Sequence, residues 1–193
     1  MHWKIMAFWA ASLAGLSAET FVAPIDDRCI YDDGSYNVVV DNGYVLADGY
    51  IHGALDFANE NIPQGGDVYL EVNPYGEPNT ANTVNVYGIA SAASTIQPSD
   101  FSDGVYLGSF TDVSALGFGQ PALLDVTSFV RSDTSPYFEF ILDTSSGSAL
   151  FSSEESNYGL PSGLEVVPEP TTWALLGASI VGLLGWRRRP ARC

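Results

Sequence analysis

Short runs of alternating apolar and polar residues recur through the middle of the chain. In Asp67–Val72, the clearest run, Val68, Leu70 and Val72 hold every second position, so they project from one face of an extended strand. Clusters of Gly, Pro, Asn, Asp and Ser separate the runs, and none sustains the period of an amphipathic helix. The pattern predicts strands at Asn37–Val40, Tyr44–Leu46, Tyr50–Phe57, Asp67–Val72, Thr83–Ile89, Ala122–Asp125, Tyr137–Leu142 and Leu164–Val167.

The spacing of these strands predicts the fold class. Many short strands between turn residues are typical of an all-β, antiparallel sandwich of the jelly-roll type. The pair Asn42-Gly43, between the first two strands, favours a tight hairpin because both residues tolerate positive φ. A single helical turn is predicted at Thr127–Val130, capped by Thr127 or Asp125.

The first residues have the pattern of a secretory signal, which we expect to form a helix. Lys4 is the charge of the n-region, Ile5–Leu16 is an apolar run of twelve residues, and Ala18 offers a small residue at the cleavage position. This pattern predicts cleavage after Ala18. The alternative is an uncleaved N-terminal membrane span, which needs a longer apolar run.

A second uncharged segment, Thr171–Trp186, lies near the other end. As a helix, its sixteen residues extend about 24 Å, somewhat less than the roughly 30 Å hydrocarbon core of a bilayer. A buried core helix is therefore an alternative to a membrane span. The three following arginines favour the span, because cationic residues stay on the cytoplasmic side and act as a stop there. They are Arg187, Arg188 and Arg189.

The residues before this predicted transmembrane helix form a stiff tether. Pro168 and Pro170 lack an amide hydrogen and restrict the residue before each of them to extended geometry. The order Val-Pro-Glu-Pro, short apolar span, arginine cluster and chain end resembles the PEP-CTERM sorting signal of exported bacterial proteins.

This resemblance implies a processing partner and a destination. In that family exosortase, a membrane-embedded sorting protease, recognises the Pro-Glu-Pro tripeptide and removes the tail. The corresponding residues here are Pro168, Glu169 and Pro170, with Val167 beside them. The resemblance implies an exported protein that is held in the inner membrane as a precursor and then delivered to the cell envelope or the extracellular polysaccharide matrix.

These segments divide the chain into a signal peptide, one extracytoplasmic domain and a sorting signal. The middle part is long enough to bury a core without disulfides. The parts are 1–18, 19–166 and 167–193, the last comprising the tether 167–170, the transmembrane segment 171–186 and the basic tail 187–193.

The charge of the middle part excludes one class of partner. All 23 acidic residues lie between Glu19 and Glu169, where Arg28 and Arg131 are the only two basic residues, so the formal charge of this interval is −21. Such a domain repels the phosphate backbone of DNA and RNA, which excludes nucleic-acid binding.

The middle domain shows a second resemblance, carried by Leu124–Val130, Phe151–Glu155 and the closing strand Leu164–Val166. These segments are similar to the C-terminal half of DNRLRE-type β-sandwich domains. Ala54–Phe57, followed by Asn61-Ile62-Pro63, is similar to a strand-to-turn segment of the same domains. The resemblance implies a sandwich and sugar binding, since those domains are related to carbohydrate-binding modules of secreted bacterial proteins.

The thiols and the histidine offer little chemistry. Cys29 and Cys193 would lie on opposite sides of the membrane and cannot pair, so Cys29 is either buried or available for an intermolecular bond. His52 stands in a predicted strand, where a lone histidine is ordinarily a packed or a solvated side chain. The domain has no lysine and no Gly-x-Ser-x-Gly sequence, so a Ser/His/Asp hydrolase lacks its parts.

Candidate binding residues are tyrosines and loop carboxylates. Tyr50, Tyr69 and Tyr87 face outward in the predicted strands and are candidates for stacking on sugars, with cross-strand packing as the alternative. Asp100 and Asp103 are candidate calcium ligands, because Ca²⁺ takes carboxylate oxygens. The alternative is that these Asp-rich loops simply form turns. We expect no other cofactor.

Two functions follow for the mature domain. The first is a non-enzymatic surface or matrix protein that binds extracellular polysaccharide through one sheet face. The alternative is a secreted polysaccharide-degrading hydrolase or lyase. A face with aromatic residues alone favours binding, and a face with two carboxylates within about 10 Å favours the enzyme.

Overall fold

The computed structural model describes residues 19–31, 37–40, 44–75, 79–96, 104–154, 156 and 160–169. The predicted signal peptide, transmembrane helix and basic tail lie outside these residues. Within the described part of the chain, no helix combines the length and the apolar character that crossing a membrane requires.

The described residues are mostly strands, which confirms the all-β prediction. One short helix, α1, spans Thr127–Ser132, and 3₁₀ turns occupy Asn59–Asn61 and Val113–Ala115. The strands are β1 (Thr20–Val22), β2 (Asp26–Tyr31), β3 (Asn37–Val40), β4 (Tyr44–Ala47), β5 (Ile51–Ala58), β6 (Asp67–Val72), β7 (Thr83–Ser91), β8 (Val105–Thr111), β9 (Ala122–Asp125), β10 (Tyr137–Asp143), β11 (Ala149–Ser152) and β12 (Gly163–Val167).

Two antiparallel sheets pack face to face. The smaller sheet has four strands in the order β1-β12-β6-β9, and the larger sheet has six in the order β3-β2-β5-β10-β7-β8. Strands β11 and β4 form a separate two-stranded ladder. Between β5 and β10 the chain crosses repeatedly from one sheet to the other, which is consistent with jelly-roll connectivity.

The core fills the space between the sheets. Val68, Leu70 and Val72 of β6 are fully buried, as their alternation predicts. The larger sheet contributes Phe57 and Phe140, whose ring centroids lie 5.7 Å apart in an edge-to-face arrangement. Apolar burial on this scale supplies the main favourable free energy of folding.

All the predicted strands are present, with ends that differ by no more than two residues. Strands β1, β2, β8 and β11 were not predicted. Three charged residues open β2, and Gly108 with Ser109 interrupts the apolar run of β8, so neither segment alternates cleanly. Pairing with neighbouring strands stabilises these segments despite their weak local pattern.

The predicted hairpin at Asn42-Gly43 is wrong. Strand β3 pairs with β2, and β4 pairs with β11, so the two flanking strands belong to different sheets. The dipeptide itself lies outside the described residues. Val45 and Ala47 of β4 are fully buried in the core, and this burial outweighs the local preference for a hairpin.

The predicted helical turn is present and longer than expected. The predicted cap is wrong, since Val126 is the N-cap of α1 and makes no side-chain capping hydrogen bond. The carboxylate of Asp125, one residue earlier, accepts a hydrogen bond from the amide of Thr127 at 2.9 Å. The Thr127 hydroxyl instead accepts the amide hydrogen of Val68 at 2.7 Å and ties α1 to β6.

Cys29 is a buried thiol, which selects one of the two alternatives for this residue. The amide of Leu46 donates to its Sγ at 3.4 Å, and Cys29 forms no disulfide. Burial raises the pKa of the Cys29 thiol, so little of the reactive thiolate forms.

Gly53 is required where β5 contacts β4, because a β-carbon there would overlap Cγ1 of Val45. We expect Gly53→Ala to lower the free energy of unfolding by about 1–3 kcal/mol, the usual cost of overpacking a full core. Urea denaturation followed by circular dichroism measures the change. Gly49→Ala is the matched control, since nothing lies within 4 Å of its added methyl group. Equal losses in both variants would contradict this account.

Candidate functional site

The three predicted sugar-stacking tyrosines lie on different surfaces. Tyr69 is on the outer face of the smaller sheet, and Tyr87 is on the outer face of the larger sheet. Tyr50 is not in a strand, which corrects the predicted start of β5. The Asp48 carboxylate accepts the amide hydrogens of Tyr50 and Ile51, so it closes a turn and leaves Tyr50 75% exposed.

Tyr87 has an aromatic partner that the sequence did not indicate. Tyr106 of β8 lies opposite it in the ladder, with ring centroids 5.7 Å apart and an interplanar angle of 62°. The register shifts beside this pair, where Val86 faces Gly108, and Leu107 is the extra residue of a β-bulge. Leu107 packs against the core while Tyr106 turns outward and is 57% exposed.

A polar pair adjoins the tyrosines on the same face. Asn85 of β7 faces Ser109 of β8, and the Ser109 hydroxyl donates to Oδ1 of Asn85 at 2.9 Å. The hydroxyl oxygens of Tyr106 and Ser109 are 2.7 Å apart. These contacts hold the Tyr106 ring in place and direct the amide nitrogen of Asn85 away from Ser109.

Asp143 of β10 lies opposite Asn85 and extends the polar row. Its Oδ1 is 3.0 Å from Nδ1 of His52. His52 is buried, while the Asp143 side chain keeps 24% of its surface exposed. Of the two predicted states of His52, packed or solvated, the structure therefore shows the packed one, with the Asp143 carboxylate beside the ring.

We call this surface the tyrosine patch. Its aromatic and polar side chains come from three neighbouring strands, and those of β7 and β8 contact one another. It comprises Asn85, Tyr87, Tyr106, Ser109 and Asp143.

Both arginines of the domain form hydrogen bonds to residues outside the tyrosine patch. Nε of Arg28 donates to Oδ1 of Asp26 at 2.8 Å. Arg131 of α1 donates to the carbonyl oxygen of Gly65 at 2.7 Å, in the turn before β6. The tyrosine patch therefore has a carboxylate but no arginine.

A pair of carboxylates lies on the same sheet face, nearer its centre. Asp56 of β5 and Glu139 of β10 are directly opposite each other, which places their β-carbons about 5 Å apart. They are only 1% and 2% exposed, so both carboxylates are covered in the folded domain. Ile96 packs with Ile141 in a small apolar cluster on the same outer face.

The structure does not test the predicted calcium ligands. Asp100 and Asp103 lie outside the described residues. Among the residues that are described, no group of three or more His, Cys, Asp or Glu side chains is arranged to hold a metal ion.

The predicted processing residues follow β12 directly. Strand β12 is internal to the smaller sheet, where Val166 pairs with Thr20 on one side and with Val68 on the other. Val167 pairs with Asp67 and is the last residue of the strand. Glu169 is exposed. Pro170 and the arginines Arg187, Arg188 and Arg189 lie outside the described residues.

Residues 166–189 match the model of the PEP-CTERM protein-sorting motif. This confirms the resemblance seen at the end of the sequence. The chain therefore carries a sorting signal that implies export, membrane-associated sorting and an exosortase as processing partner. No curated protein matches the chain. The resemblance to DNRLRE-type domains stays a prediction.

Tyr69 differs from Tyr87 in having acidic neighbours, since Glu165 and Asp125 lie on either side of it. Partial burial, reinforced by the charges of Glu19 and Glu71, raises the pKa of Glu165. The folded state therefore binds this proton more tightly than the unfolded state. Its stabilising contribution is complete below the ordinary Glu pKa and is lost as the pH rises through the raised value.

We therefore expect Glu165→Gln to raise the free energy of unfolding at neutral pH, because it removes a charge that the folded state disfavours. The gain should shrink as the pH falls toward about 4, where the native carboxyl is protonated. Urea titrations at a series of pH values measure this. Glu60→Gln, at an exposed position, controls for the change in net charge. A gain that is independent of pH would contradict the assignment.

Proposed function

We propose that the mature domain is a non-enzymatic surface or matrix protein that binds a neutral polysaccharide through the tyrosine patch. Its sorting signal delivers it to the cell envelope or to the extracellular polysaccharide matrix. The observation that carries the proposal is the exposed Tyr106 ring beside Tyr87, with hydrogen-bonding groups at its edge.

The chemistry of the patch suits a sugar. A pyranose ring has an apolar face, which stacks on an aromatic ring such as that of Tyr106, and hydroxyl groups around its rim. The Asn85 amide can donate to those hydroxyls, and the Asp143 carboxylate can accept from them. Because cross-strand contacts already fix Tyr106, little conformational entropy is lost on binding.

Charge narrows the class of glycan. The interval Glu19–Glu169 has a formal charge of −21. Both of its arginines are engaged by other groups, Arg28 by a carboxylate and Arg131 by a backbone carbonyl. Uronates and sulfated sugars would be repelled with no arginine or lysine free to compensate, so neutral sugars are the expected ligands.

The alternative is a hydrolase or lyase that acts on the same polysaccharide. The Asp56–Glu139 pair has the proximity that a glycosidase needs. Its burial argues for the binding function, since general acid catalysis requires a carboxyl group within hydrogen-bond reach of the substrate.

The patch is tested by affinity electrophoresis in gels that contain neutral or acidic polysaccharides. We expect the native protein to be retarded by a neutral glycan, and Tyr106→Ala to weaken binding roughly tenfold, since an aromatic contact contributes about 0.5–1.5 kcal/mol beyond the area that it buries. Tyr50→Ala removes an exposed tyrosine outside the patch and should bind normally.

Three outcomes would count against the proposal: no retardation in any gel, retardation by acidic glycans alone, or equal losses in the two tyrosine variants. Release of reducing sugars in the same gels would favour the enzyme. Adding EDTA tests whether calcium at Asp100 and Asp103 contributes to binding.

Sorting is tested by the double variant Pro168→Ala with Glu169→Ala. We expect the full-length precursor to accumulate in the inner membrane, because the exosortase loses the residues that it recognises. Cell fractionation and immunoblotting measure the distribution. Release at the native level would refute the assignment of these residues.

A further inference from the structure

The sorting motif begins inside the folded domain. Its match starts at Val166, which is 2% exposed and is paired on both sides within the smaller sheet. Val167, the next residue, is still paired with Asp67. The motif therefore overlaps the last two residues of an internal strand.

The chain between the folded domain and the recognition residues is short, so a membrane-embedded protease has to approach the domain closely. An extended chain from Val167 to Glu169, the last described residue, covers about 7 Å at roughly 3.3 Å per residue. A domain of this length has a radius of gyration of about 15 Å, so its folded body would be held against the protease and the membrane surface.

Acidic residues at this end of the sandwich make such close contact unfavourable. Asp67 lies opposite Val167 in the ladder, and the charge of Glu19 acts on Glu165 of β12. Carboxylates here are repelled by anionic lipid headgroups. A longer stretch of unpaired chain between the domain and the membrane would lower this repulsion.

We propose that the end of β12 has to unpair before the exosortase can engage Pro168 and Glu169, so that the stability of this strand end sets the rate of processing. The proposal rests on the sorting function stated above. Val167 unpairs first, because it is half-buried and its described pairing is with β6 alone. Val166 resists, because it is buried and joins β1 and β6.

The test inserts a Gly-Ser linker of about six residues between Val167 and Pro168, which adds roughly 13 Å of flexible reach. The full-length protein is expressed in a host that contains the exosortase, and conversion of precursor to product is followed by pulse-chase labelling. We expect conversion to be several-fold faster than in the native protein, because the strand end no longer has to open.

The matched control places the same linker after Gly119, in the exposed turn before β9. It should leave the rate unchanged. An unchanged rate in the junction variant, or equal acceleration in both variants, would overturn the proposal. Resistance of the domain to added protease shows that each variant folds.

Failure of this proposal is separable from failure of the sorting function. The Pro168→Ala, Glu169→Ala change is added to the junction variant. If the double change blocks conversion while the linker alone has no effect, the sorting function is supported and control of the processing rate by β12 is refuted. If it leaves conversion intact, the assignment of the recognition residues is itself wrong.

Discussion

The structure depends on burying apolar side chains between two sheets of a chain that repels itself. The interval Glu19–Glu169 has a formal charge of −21, which destabilises any compact state. Its single cysteine, Cys29, forms no disulfide. Stability therefore comes from the packed core, in which Phe57, Phe138 and Phe140 are fully buried.

The need to bury apolar side chains also explains why the strands of the larger sheet differ in exposure. Strand β5 lies near its middle and is buried on both faces, with His52 and Asp56 enclosed along with the apolar residues. Strand β8 lies at the edge of that sheet, where a bulge sends Leu107 into the core and Tyr106 out to solvent. An accessible surface of aromatic and polar groups thus arises at the edge, where burial is incomplete.

Folding and sorting share one strand. Val166 contributes to the core through β12 and is also the first residue of the sorting motif. Separate modules would be joined by a linker, and each would act without reference to the other. Here the match to the sorting motif overlaps the end of β12, and this overlap is the basis for the proposed coupling between domain stability and delivery.

The sequence by itself determined the features that depend on neighbouring residues. Alternation in β6 identified Val68, Leu70 and Val72 as core residues, and the order of residues around Pro168 identified the sorting signal. Both are local patterns, because side-chain direction repeats every two residues along a strand. The all-β class followed from the same information.

Tertiary structure alone decided which strands are neighbours and which faces are covered. The sequence around Asn42 favoured a hairpin, yet β3 and β4 pair elsewhere. The alternation in its strand predicted that Tyr87 faces outward and could stack on a sugar. Its partner Tyr106 was not predicted, because a bulge breaks the alternation of β8. The physical reason is that strand pairing and burial arise from contacts between residues distant in sequence, which a local pattern does not encode.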